Sequence, residues 1–140
     1  MKLVIKFKFL AASALVLGGL VLASFTVPQP KQPAPWPVPK EYKTMKNPVP
    51  ADANSVKVGK SLYNRYCASC HGRTGLGDGP KARMLDTFPG DFSGSAFQSQ
   101  TDGEIFYRTK EGRGDMPGYD KKVPDEDIWS MVNYMRTFKK

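Results

Sequence analysis

The chain opens on Lys2, Lys6 and Lys8 and then runs from Phe9 to Val27 without a charge. A positive start ahead of an apolar run is the pattern of a secretory signal or a membrane anchor. At helical rise the run spans roughly 28 Å, close to the ~30 Å hydrocarbon core of a bilayer. That length favours an uncleaved anchor, with removal after Ala23 as the alternative. The lysines stay inside, so everything after Val27 is placed on the outer, periplasmic side of the cytoplasmic membrane. Next comes a stretch holding eight of the chain's twelve prolines, between Pro28 and Pro50. Such spacing excludes helix and favours polyproline II, a semi-rigid spacer with a reach of roughly 50–70 Å. Trp36 and Tyr42 within it are candidates for the headgroup level or for packing on the folded domain.

Helical periodicity begins beyond the spacer. Val56, Gly59, Leu62, Tyr63 and Tyr66 share one face and predict a helix over 56–66. Gly59 in its interior costs ~1 kcal/mol relative to Ala, so it marks a close approach by another helix. The partner is a segment running from Asp125 to Phe138. Its apolar positions Ile128, Met131, Val132, Met135 and Phe138 recur at helical spacing, and Pro124 stands at its start. Asp125, Glu126 and Asp127 complement the dipole at one end and Lys139 and Lys140 at the other. Thr101 and Glu104 form a capping box ahead of a third helix over 102–110, stopped by Gly112. The expected organisation is an anchor or signal over 1–27, a linker over 28–54 and an all-α domain over 55–140.

Composition narrows the chemistry. The 140 residues include two Cys and one His, too few for a disulfide framework or a site needing two imidazoles. The formal net charge of +8 looks like a nucleic-acid binder until it is located. Residues 1–50 contribute +6 of it, and residues 51–140, with fourteen basic and twelve acidic side chains, only +2. A nucleic-acid binder concentrates positive charge on its folded face, so no nucleic-acid partner is expected.

The chemistry-bearing motif is Cys67-Ala68-Ser69-Cys70-His71. Cys-x-x-Cys-His is the attachment signature of c-type haem: two thiols meet two vinyl groups, and the next residue ligates the iron. A thioredoxin-like pair would follow a strand in a βαβ pattern, and none precedes Cys67. A zinc site would need four ligands, and no Cys or His remains after these three. The Gly72–Pro80 loop lacks the Gly-Lys-Ser/Thr of a nucleotide cradle.

Over residues 55–138 the chain resembles the class I cytochrome c family. The matching parts are the helix with Gly59 and Tyr63, the Cys67–His71 motif and the Gly75-Leu-Gly77-Asp78-Gly79-Pro80 loop. Gly112-Arg-Gly114-Asp-Met116-Pro117 and the closing helix with Trp129 and Tyr134 complete it. It is most similar to the small monohaem domains of bacterial terminal oxidase subunits. The resemblance implies a cytochrome c fold, about 3–5 short helices around one covalently bound haem c, with the first and last helices crossing beside it. It also implies that the Pro80 carbonyl accepts the second N–H of His71.

The second axial ligand is then sought among the methionines, because thioether is the usual partner of His in these haems. Met1 and Met45 lie outside the domain, and Met131 and Met135 read as core filler in the closing helix. Met84 and Met116 remain. Pro117 forces an extended Met116, flanking glycines let the backbone pass close to a flat ring, and the family places its ligand in this Met-Pro context. Met116 is therefore the expected ligand and Met84 the alternative. Phe88, Phe92, Phe97 and Phe106 are expected pocket walls. A domain of about 85 residues buries a thin core by itself, so haem-free protein should fold poorly. The resulting expectation is a non-enzymatic electron carrier serving redox partners at the outer face of the membrane. The alternatives are a haem-bearing subunit of an oxidase or dehydrogenase complex, and a sensor or peroxidase with a labile sixth position.

Overall fold

The computed structural model describes residues 36–140. The elements run α1 (Lys40–Thr44), α2 (Ala53–Tyr66), α3 (Ala68–His71), a 3₁₀ turn (Ala82–Met84), α4 (Ser95–Gln98), α5 (Asp102–Glu111) and α6 (Asp125–Arg136). No strand occurs among the described residues; Arg113 and Met116 form an isolated bridge. The three long helices stand where periodicity placed them, with shifted ends. α2 begins at Ala53 because Asp52 caps it: its carboxylate accepts from the Ser55 amide at 2.8 Å, and Ser55 Oγ accepts from the Asp52 amide at 3.2 Å. α5 carries the expected box, Thr101 Oγ1 accepting from the Glu104 amide at 3.2 Å and Glu104 from the Thr101 amide at 2.9 Å. α6 ends at Arg136, two residues short of Phe138.

α2 and α6 cross at Gly59. A Cβ there would overlap the Ser130 carbonyl and stand 2.6 Å from its carbon, so only hydrogen permits this approach. Tyr63, Ile128, Met131 and Val132 are fully buried around the crossing. The Tyr63 ring packs against Tyr134 at 5.4 Å and Phe138 at 5.3 Å. α5 joins α6 through Phe106, which stacks on Trp129 at 4.0 Å and 9°. Arg136 ties the two helices again, at 2.7 Å from the Asp102 carboxylate.

Most of the expected spacer, from Trp36 onward, belongs to the folded body. Between Pro39 and Pro48 the chain has no proline, and α1 forms in that window. Tyr42 packs on Tyr107 at 4.7 Å, and Gly103 on α5 lets the Tyr42 carbonyl sit directly on the helix. Asn133, buried on α6, donates to the carbonyls of Val49 at 3.2 Å and Pro50 at 3.1 Å, while Asn47 donates to Asn133 Oδ1 at 2.8 Å. A buried amide needs such partners, and these strap residues supply them. The expectation of a linker through residue 54 is corrected accordingly: from Trp36 onward the chain lies on the domain.

The expected anchor or signal over 1–27, and residues 28–35 of the linker, lie outside the described residues. Among the described residues no helix is long and apolar enough to cross a membrane.

Candidate functional site

Cys67 ends α2 and opens the single turn α3. The amides of Cys70 and His71 both donate to the Cys67 carbonyl, at 3.1 and 3.0 Å, which gathers the two thiols and the imidazole on one turn. The following loop folds back onto that turn. The Gly77 amide donates to the His71 carbonyl at 2.9 Å, Gly79 to Cys70 at 3.2 Å and Lys81 to Ser69 at 2.8 Å. These bonds satisfy the carbonyls a helix end leaves open. Gly79 is required because a Cβ would meet the Ser69 carbonyl oxygen at 2.5 Å. Tyr63 Oη donates to the Gly72 carbonyl at 2.9 Å and fixes the loop to α2.

The motif faces two adjoining cavities of about 540 and about 590 Å³, in the size range of small-molecule and cofactor sites. Cys67, His71, Phe88, Pro89 and Met116 line both. Phe92, Phe97, Ile105 and Met135 line the larger and Cys70, Tyr66 and Tyr119 the smaller. His71 and Met116 thus border one space although 45 positions separate them. The alternative ligand, Met84, is 81% exposed and borders neither cavity. Met131 is wholly buried in the helix crossing, and Met135 borders only the larger cavity.

Met116 is presented by a tight turn in which the Arg113 amide donates to the Met116 carbonyl at 2.8 Å and the Met116 amide to the Arg113 carbonyl at 3.0 Å. The flanking glycines serve this loop's own closure. Gly112, at φ 68°, leaves no room for a Cβ beside the Pro117–Gly118 backbone, and Gly118 packs on the Glu111 backbone.

Two expectations need correction. Phe106 is not a cavity wall, because stacking on Trp129 holds it in the α5–α6 core. Pro80 does not meet the imidazole: His71 Nδ1 is buried without a hydrogen-bond partner. The bonds of Gly79 and Lys81 hold the residues on either side of Pro80 against the α3 backbone instead. The backbone that bears on the ring is that of Pro89, and the Phe92 ring lies 4.5 Å away.

Burial sets the protonation states. It lowers the His71 pKa to about 4, with the Pro89 backbone partly opposing, so the imidazole is neutral near pH 7. A neutral imidazole is the form that ligates metal. Burial, and then the neighbouring Cys70, pushes the Cys67 thiol up to about 12. Disulfide oxidoreductases need the opposite, a thiol pushed down. A buried protonated thiol and a neutral imidazole on the wall of one apolar cavity fit a covalently attached haem and do not fit thiol redox chemistry.

Sequence reasoning missed Trp36, Pro89, Arg108 and Arg113, which also line the cavity. For Arg108 a signal was present, since Ile105, Arg108 and Thr109 stand at i, i+3 and i+4 on one face of α5.

Comparison with known proteins shows what the chain is similar to. A family model described as cytochrome c oxidase, cbb3-type, subunit III matches residues 54–135. The subunit CcoP of a cbb3-type cytochrome c oxidase from Azospirillum sp. (strain B510) is 29% identical over 104 residues, covering 68% of this chain and 32% of CcoP. Cytochrome c-551 of Halorhodospira halochloris is 32% identical over 81 residues, covering 55% of this chain and 92% of its own length. Among solved structures, the Kuenenia stuttgartiensis reducing HAO-like protein complex Kustc0457/Kustc0458 has a chain similar at TM-score 0.61 and 25% identity, over 66% of this chain and 47% of that one. The KustC0563 c-type cytochrome aligns at TM-score 0.52 and 27% identity, over 59% of this chain and 98% of its own.

Proposed function

The chain belongs to the cytochrome c family of cbb3-type oxidase subunit III, and from that premise we propose that it is a monohaem carrier moving single electrons between respiratory complexes outside the cytoplasmic membrane. As a family member it binds haem c covalently, and it is an electron-transfer domain. When bound, the haem supplies a one-electron ferric/ferrous couple.

The chain's own residues supply the rest. Cys67 and Cys70 would hold the haem covalently, and His71 and Met116 would ligate its iron. The observation that carries this reading is that His71 and Met116 border the same cavity as Cys67, while Met84 lies outside it. With His71 and Met116 both serving as ligands, the iron would have no place for a substrate, and the chemistry left would be electron transfer. Phe88, Phe92 and Phe97 give the larger cavity apolar walls, and an apolar surround with a thioether ligand would raise the potential. The lysine-flanked apolar run of residues 1–27 supports tethering on the outer face, with residues 28–35 as the remaining spacer.

A second reading is favoured by the relatives themselves: one is an oxidase subunit that this chain spans for only 32% of its length, another a component of a multiprotein complex. In that reading the chain is a haem-bearing subunit of such an assembly. Tagged protein purified gently from membranes separates the two. A carrier elutes alone and, once reduced, is reoxidised by isolated membranes; a subunit brings stoichiometric partners. Reduced protein that membranes do not reoxidise, and that elutes alone, would refute both.

A further inference from the structure

Two loops border the smaller cavity, and each serves one of the two proposed ligands. Residues 85–90 follow the 3₁₀ turn and include Pro89, whose backbone bears on the His71 ring. Residues 113–117 lie between α5 and α6 and include Met116. Neither loop is part of a helix, so the helix crossing does not by itself fix one against the other.

The Met116 loop is tied down at its base. The Gly112 amide donates to the Arg108 carbonyl at 3.0 Å, and the amides of Tyr119 and Asp120 both donate to the Lys110 carbonyl, at 2.8 and 3.1 Å. The tip is placed differently. A Cβ on Gly114, at φ 57°, would meet nothing within 4 Å, so the chain there borders open space. Asp115 beside it is exposed, yet its carboxylate is engaged. Oδ2 accepts from the Asp86 backbone amide at 3.1 Å, across 29 positions of sequence. Asp86 and Asp115 both line the smaller cavity, so this bond joins the loop on the His71 side to the loop that carries Met116.

Little slack separates the bond from the thioether. Asp115 directly precedes Met116, whose amide and carbonyl are both held by Arg113 and whose backbone is further restricted by Pro117. A shift of the tip therefore carries the Met116 side chain with it. A carboxylate accepting from a backbone N–H makes a charge-assisted bond, stronger than one to a neutral acceptor.

We propose that Asp115 is a positioning residue for Met116: its carboxylate clasps the Met116 loop to the loop that bears on His71, and so sets how readily an outside ligand displaces the thioether. The inference rests on the haem c reading and on Met116 as the ligand.

The test compares full-length, haem-loaded wild type with Asp115→Ala, Asp115→Asn and Asp120→Ala. Imidazole is titrated into the ferric proteins, and loss of the near-infrared sulfur-to-iron band reports displacement of Met116. Haem staining of a denaturing gel should show equal covalent attachment in all four. Asp115→Ala should lose half the band at roughly tenfold less imidazole than wild type, the lower end of what a hydrogen bond to a charged group contributes. Asp115→Asn keeps an acceptor oxygen at the same reach and should recover most of that difference. Asp120→Ala removes a nearby carboxylate without touching the clasp, and Lys110 keeps Asp125 at 2.8 Å, so its midpoint should match wild type. An unchanged midpoint in Asp115→Ala would overturn the inference. So would an Asn variant as weak as the Ala one, or an equal loss in Asp120→Ala, since either would make charge and not the clasp responsible. Wild type without the band would overturn the ligand assignment itself, and the inference with it.

Discussion

Replacing Gly59 by Ala sets two effects of opposite sign against each other. In an isolated helix the change stabilises, by ~1 kcal/mol of intrinsic propensity. Here the new Cβ overlaps the Ser130 carbonyl oxygen and stands 2.6 Å from Ser130 C and 3.0 Å from Met131 N. All three atoms belong to the backbone of α6, so no rotamer change relieves the overlap. α6 cannot retreat freely either, since Ile128, Met131 and Val132 are fully buried around the crossing. Overpacking typically costs ~1–3 kcal/mol, and rigid backbone partners place this case in the upper half of that range. The net loss is about 1–2 kcal/mol. For a domain of this size that lowers Tm by about 4–16 °C. Thermal melts of the haem-loaded variant by far-UV circular dichroism measure it, and Gly59→Leu should fall further. An unchanged or raised Tm for Gly59→Ala would mean that propensity alone governs the position and that α2 and α6 do not meet there.

Joint replacement of Cys67 and Cys70 by Ala should abolish the haem-stained band on a denaturing gel; a persisting band would place the attachment elsewhere. Asn133→Ala takes from the Val49 carbonyl its side-chain donor and removes one bond each from the Pro50 carbonyl and Asn47 Nδ2, which keep Ser55 Oγ and the Trp129 carbonyl, at a cost of about 1–3 kcal/mol. Limited proteolysis should then cut between residues 40 and 52 faster than in wild type, and equal rates would show that the strap is held by other contacts. Haem-free protein lacks the group that fills the cavity, so its helical signal and the cooperativity of its melt should both drop. A cooperative melt matching that of the loaded protein would contradict a shared pocket and core.

The periodic features were the legible ones. Gly59 announced the helix crossing because a glycine amid helix formers has a cost that some contact must justify. The Thr101–Glu104 box and the Cys67–His71 motif act within four residues of each other and need no tertiary knowledge. The strap was illegible because its fixation is non-local. Asn133 lies more than eighty positions from the Val49 and Pro50 carbonyls it binds, and an Asn on a helix face looks like a solvated one. Proline spacing was read as excluding helix, yet α1 forms in the proline-free window between Pro39 and Pro48, and the spacing could not show that Trp36 would find Arg108 and Arg113. Phe106 was misplaced for a related reason. An aromatic on the apolar face of α5 serves a cavity wall or a helix interface equally well, and only the position of Trp129 decides between them.

The central claim is that His71 and Met116 would both ligate the iron of the bound haem and leave it no open position. The near-infrared sulfur-to-iron band of ferric protein tests it most directly, read together with carbon monoxide binding to ferrous protein. Wild type and Met84→Ala should show the band and bind carbon monoxide slowly or not at all. Met116→Ala should keep its covalent haem, lose the band and bind carbon monoxide readily, with a lower potential. A band lost in Met84→Ala and retained in Met116→Ala would contradict the ligand assignment. A wild type that lacks the band and binds carbon monoxide fast would contradict the closed electron carrier altogether.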